Sequence, residues 1–235
     1  HRTFRHIISL YMETLKKHGL KIACMILLVY TVWQGFLGQV PRQAILNETV
    51  RNLYFHVTMW FSMIFLLATS VVHSIRYLRK GNLENDLISN AYVETGLVFA
   101  TLGLVTGSIW AKFTWGDWWT NDPKLNSVAI GMLIYLAYGL VRSSMPDEQQ
   151  RARISNVYNI FAFVIFMILI WILPRMTDSL HPGNGGNPGF SKYDLDSNMR
   201  MVFYPAIIGW ALLGFWIANL RIRLKKISQL TIEND

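Results

Sequence analysis

Long apolar blocks alternate with short polar links along this chain. Six blocks, at 22–40, 53–75, 91–111, 125–141, 157–173 and 201–220, are each close to the roughly 20 residues a helix needs to cross a bilayer. They predict an all-α polytopic membrane protein with six transmembrane helices. Ahead of the first block, Phe4, Ile7, Ile8, Tyr11 and Leu15 recur at helical spacing among Arg2, Arg5, Lys16, Lys17 and Lys21. That pattern predicts an amphipathic tail over 1–21, lying on an anionic membrane surface. In the third block Gly103 and Gly107 stand at GxxxG spacing, which permits close helix packing. No internal repeat or second domain is visible, so 1–235 reads as one membrane domain.

Composition agrees and removes some alternatives. With 52% hydrophobic and 15% charged residues, and a positive mean hydropathy, the chain is too apolar for a soluble domain of this size. The net charge of +8 does not mark a nucleic-acid site, because the basic residues flank apolar blocks. Fifteen of them fall in the two tails and the links at 76–90 and 142–156, against seven in the other links. That bias predicts cytoplasmic termini and three outward segments, 41–52, 112–124 and 174–200. Cys24, alone in the chain, makes no intrachain disulfide; with no CxxC or CxxCH, the chain is not itself a c-type cytochrome. No cleavable leader pattern precedes the first block, and an initiator Met is expected upstream of His1.

The middle outward segment carries the densest chemistry. Trp115-Gly116-Asp117-Trp118-Trp119-Thr120-Asn121-Asp122-Pro123 puts three tryptophans within five residues. Indole rings favour the membrane–water boundary, so the stretch reads either as an anchor that sets helix depth or as a shelf for a flat, largely apolar ligand. Two histidines are expected on the same side: His56 near the outer end of the second helix, and His181 just past the fifth. His73 lies seventeen residues beyond His56, about 25 Å along the helix, and cannot join them. His1, His6 and His18 read as solvated. Two neutral imidazoles facing each other across a flat ligand can hold haem iron, and Arg51, Arg175, Lys112 or Lys124 could pair with its propionates. Simpler readings stand beside these. His56 could be a hydrogen-bonded helix-end residue, His181 a loop residue in water, and Asp122-Pro123 the N-cap and first residue of the fourth helix. Asp117 could orient an indole N–H or a ligand group. Glu94, an acid within a span, is a functional candidate unless hydrated at the interface. The link at 174–200 is long and rich in Gly, Asn and Pro, as functional or disordered loops are.

The run from Thr106 to Ser127, TGSIWAKFTWGDWWTNDPKLNS, resembles the tryptophan-rich outer segment of haem-handling proteins of cytochrome c biogenesis, of the cytochrome c maturation protein C type. The family's flanking histidines map to His56 and His181, and Asp196-Ser197-Asn198-Met199-Arg200 resembles its short stretch before the last helix. The resemblance covers about 50–220. One departure is Asn121, where the family usually has a further Trp; the chain also lacks the extra helices of the larger cytochrome c synthases. The resemblance implies haem b held at the periplasmic face of the bacterial inner membrane. His56 and His181 would be axial ligands, and Trp115, Gly116, Asp117, Trp118, Trp119 and Asp122 the cofactor-binding shelf. It implies delivery to a periplasmic haem chaperone, with an ABC-type ATPase, its membrane subunit and a small single-helix subunit as partners, and no nucleic acid. This is haem handling rather than catalysis, with participation in haem attachment left open. The Gly-rich loop makes His181 the natural ligand to release. Two rivals remain: a b-type cytochrome subunit of a respiratory complex, and a cofactor-free permease or scaffold.

Overall fold

The computed structural model describes residues 2–43, 46–181, 190 and 195–234, with side chains between 18 and 231. Among these residues the chain is all-helical. The helices are α1 (Arg2–Leu37), α2 (Leu53–Lys80), α3 (Leu83–Trp115), α4 (Pro123–Ser143), α5 (Glu148–Met167) and α6 (Ser197–Asn234). A 3-10 turn, Asn47–Asn52, leads into α2. Helix α5 runs on through a π turn, Ile168–Ile172, and a short 3-10 turn, Leu173–Arg175. Six helical segments are long and apolar enough to cross a membrane, in agreement with the six blocks read from the pattern. Helix α1 has no break between the basic tail and the first span.

The helix ends follow local chemistry. Gly81 ends α2 at φ 66°, a left-handed conformation that suits glycine, and its N–H closes on Tyr77 O at 2.7 Å. Asn82, Asp122 and Asp147 each accept a backbone N–H from the first turn of the helix that follows. Pro123 takes the first position of α4, where its missing N–H costs nothing.

Helices α2 and α3 form the tightest pair and carry the core, α6 packs across both, and α1 lies mainly on α6. Met63, Leu66 and Leu67 of α2 are fully buried against Phe99 of α3 and Phe166 of α5. Helices α3 and α4 barely touch. The end of the bundle with the α2–α3 turn is closed by polar side chains. Arg142 binds Asp86 through two hydrogen bonds, 2.8 and 2.6 Å, and Asn156 donates to the same carboxylate at 2.6 Å. Glu94, open as a functional candidate, instead ties α3 to α6 by accepting from Arg221 (2.9 Å) and Lys225 (2.7 Å). The other end holds a cavity.

Candidate functional site

A cavity of about 210 Å³ lies between the α2–α3 pair and the α4–α5 pair. Helix α2 supplies His56, Trp60 and Phe61; α3 supplies Gly103, Gly107, Ser108 and Trp110; α4 supplies Lys124 and Leu125. The end of α5 adds Trp171 and Arg175, and the connecting segments add Trp119, His181 and Phe190. Two histidines that stand 125 positions apart thus share one chamber, whose described wall is mostly apolar and contains no Asp or Glu. His73 is absent from it; its Nδ1 lies 3.0 Å from Asn85 Oδ1 and its ring stacks on Tyr92.

His56 is seated by three aromatic and backbone features. Its Nδ1 lies 2.8 Å from Gly103 O, and a carbonyl only accepts, so Nδ1 carries the proton and Nε2 the lone pair. The edges of Trp60 and Trp110 flank the ring at 6.2 and 5.9 Å between centroids. Trp110 is itself fixed by donating to Thr49 Oγ1 at 3.1 Å. The GxxxG pair of α3 does allow close approach, and what approaches is aromatic. A Cβ on Gly103 would lie 2.8 Å from Trp60 Cε2, and one on Gly107 only 2.5 Å from His56 Cε1.

His181 is placed by Asp122, which does two jobs. It caps α4, as its position before Pro123 implies, accepting from Lys124 N at 2.9 Å. The same carboxylate also accepts from Ser179 Oγ (3.1 and 2.9 Å), from Leu180 N–H (2.7 Å) and from His181 Nδ1 (3.2 Å). Burial by itself would raise this carboxyl, which is 2% exposed, but the hydrogen bonds from His181, Leu180 and Ser179 outweigh it and hold it well below the usual carboxylate range. Burial pushes the His181 imidazole down from its ordinary value, against the opposing pull of Asp122. His181 is therefore neutral at pH 7, with the Nδ1–H on Asp122 and the lone pair on Nε2. Trp115 backs the ring, edge to face, at 4.8 Å.

The tryptophan-rich stretch divides its roles. Trp119 lines the cavity, and Trp115 supports His181 from behind. Gly116 ends α3 at φ 89°, and its carbonyl accepts from Lys112 at 2.6 Å. Trp118 and Asp117 are exposed and outside the cavity wall; Trp118 O accepts from Ser108 Oγ at 2.7 Å, which holds the stretch against α3. Of the four candidate cations, Lys124 and Arg175 line the cavity, with the Arg175 guanidinium 5.2 Å from the centre of the Trp171 ring. Arg51 is committed to Glu48 and to the carbonyls of Gly35 and Gly38, and Lys112 to Gly116. Pattern reading missed Trp60, carried Trp110 only as part of the tryptophan-rich run, and read Gly107 only as a packing residue. Trp60 sits one helical turn from His56, the one local signal that was available. The stretches 182–189 and 191–194, most of the Gly-rich loop, lie outside the described residues.

The donor set fits haem on the features present: two neutral imidazoles with Nε2 lone pairs, indole walls, two cations for carboxylates and a glycine nest that a Cβ would fill. Comparison with known proteins points the same way. The family model described as heme exporter protein C matches residues 6–234. The chain is 28% identical to the heme exporter protein C of Paracoccus denitrificans over 152 residues, 65% of this chain and 62% of that protein. It is 27% identical to the Escherichia coli K12 protein of the same name over 201 residues, 85% and 78% respectively. It is 38% identical to the cytochrome c biogenesis protein CcsA of Prochlorococcus marinus MED4 over 85 residues, 36% and 27%. The matched stretch thus spans less than two thirds of the Paracoccus and Prochlorococcus proteins.

Proposed function

The chain belongs to the heme exporter protein C family, and on that premise we propose that it handles haem for cytochrome c biogenesis. In this reading it holds haem b at the periplasmic face of the bacterial inner membrane and hands it to a periplasmic haem chaperone. The observation that carries the reading is the convergence of His56 and His181 on one apolar cavity rimmed by Trp119. Haem iron accepts an imidazole on each face of the porphyrin. The chain's own residues do the rest. Gly103 O and Asp122 fix both histidines in the tautomer that presents Nε2. Trp60, Trp110 and Trp119 supply flat apolar surface, while Lys124 and Arg175 attract carboxylates. His56 and His181 would hold the haem iron between them and keep other ligands off it, which suits cargo in transit. An ABC-type ATPase with its membrane subunit, a small single-helix subunit and the chaperone are the proposed partners.

The test is the visible spectrum of the detergent-purified protein. A six-coordinate, low-spin bis-histidine haem is the expected result. Should His56→Ala and His181→Ala both retain the same amount of haem with the same spectrum, the ligand assignment fails.

A further inference from the structure

The two histidines of the cavity are held by unlike partners. His56 Nδ1 donates to a neutral peptide carbonyl, Gly103 O, at 2.8 Å, with Thr106 Oγ1 next at 3.4 Å. His181 Nδ1 donates to the Asp122 carboxylate at 3.2 Å. A carboxylate partner pulls the Nδ1 proton and makes the opposite nitrogen the more basic donor, which is how such partners strengthen metal-bound histidines. Asp122 is 2% exposed, so bulk water screens its charge little. Its other bonds, to Ser179, Leu180 and the first turn of α4, lock the segment that carries His181 to a helix end.

We propose that Asp122 makes the two imidazoles an unequal pair: His181 is the stronger donor and holds the bound iron in the ferric state, and His56 is the ligand that gives way. This rests on the bis-histidine reading above. Negative charge shared into the His181 ring stabilises the higher positive charge of ferric iron more than that of ferrous iron, so the one-electron potential falls. Loop composition points to His181 as the releasable ligand, but Asp122 reverses that ranking. His56 has no charged partner: its Nδ1 donates to the neutral Gly103 carbonyl, so its Nε2 is the weaker donor and the first to release the metal. His181 sits on a segment that Asp122 also holds through Ser179 and Leu180. Asp122 is a positioning residue here, acting through His181, and Lys124 and Arg175 are unchanged in every variant compared.

The experiment is a redox titration of the haem-loaded full chain in detergent, with dithionite supplying the electron that converts ferric to ferrous iron. Asp122→Asn keeps an acceptor and the cap and removes the charge. Its potential is expected to rise by at least about 59 mV, a tenfold loss of ferric-over-ferrous preference for a one-electron couple. Ser179→Ala removes a donor that competes with His181 for the carboxylate, so its potential is expected to fall; this second variant serves if Asp122→Asn does not fold. In parallel, His56→Gly is expected to keep most of its haem and to regain a six-coordinate spectrum with added imidazole, while His181→Gly loses haem about tenfold. An unchanged potential in either variant, or the opposite ranking of the two glycine variants, overturns the proposal while leaving bis-histidine ligation in place. Loss of no haem and no spectral change in both glycine variants overturns the proposal together with the reading beneath it.

Discussion

Gly107 is the position where one methyl group should separate this site from an ordinary helix. A Cβ there would meet His56 Cε1 at 2.5 Å and Nδ1 at 3.0 Å, against 3.4 Å or more for ordinary contact. The ring must therefore withdraw by roughly 1 Å, a distance of the size that misplaces a bound group. It has little room, because Nδ1 is tied to Gly103 O and Trp60 and Trp110 stand at its edges. Overpacking of this kind costs about 1–3 kcal/mol, and loss of the Nδ1 bond adds about 1 kcal/mol. Against this, Gly→Ala in a helix interior gains about 1 kcal/mol. Gly107→Ala should therefore be destabilised by about 1–3 kcal/mol. Gly139→Ala on α4 is the internal control, since a Cβ there meets nothing within 4 Å and only the helical gain remains. Thermal unfolding in detergent, read beside the haem spectrum, is the assay. Gly139→Ala should unfold at or above the wild-type temperature, and Gly107→Ala below it, with weakened six-coordinate character. If the two variants behave alike, the nest for His56 is not what holds the ligand.

Three further outcomes follow from the geometry. Burial holds the folded His181 pKa below its unfolded value of about 6.5. The unfolded chain therefore binds that proton more readily, and stability present above pH 6.5 is lost as pH falls below it. Asp122 has a depressed folded pKa, so its contribution persists above about pH 3.9 and goes only in stronger acid. The haem-free protein should thus melt lower at pH 5.5 than at pH 7.5, and His181→Gln should shallow that slope; an equal slope in the variant refutes the assignment. At the other end of the bundle, Arg142→Ala strands the Asp86 carboxylate, which is 5% exposed, and should cost about 3–5 kcal/mol in unfolding measurements, whereas Asp86→Leu with Arg142→Met should cost far less. Finally, Arg175→Gln and Lys124→Gln should each weaken binding of haem with free carboxylates but not of its dimethyl ester; equal losses for both ligands would remove these residues from carboxylate recognition.

Much of this molecule is written in local pattern. Apolar blocks near 20 residues long need no tertiary information to become spans, because a bilayer leaves an isolated backbone no other way to satisfy its polar groups. Caps are local too, so Asp122 and Pro123 announce the start of α4. The tryptophan-rich stretch and the two histidines stand out by residue type and by the side of the membrane that their flanking charges imply. What no local period encodes is which groups meet. Gly107 and Gly103 read as a generic packing motif, yet they face His56 and Trp60, 51 and 43 positions earlier in the chain. Asp122 reads as a cap, and only the fold brings the segment at 179–181 onto its carboxylate. Among four plausible cations, Lys124 and Arg175 line the cavity, while Arg51 and Lys112 bind partners outside it. Hydrophobic periodicity specifies depth and face for each helix separately. The rotation and offset between helices come from side chains interlocking across the bundle, and that interlocking turned two scattered imidazoles into one site.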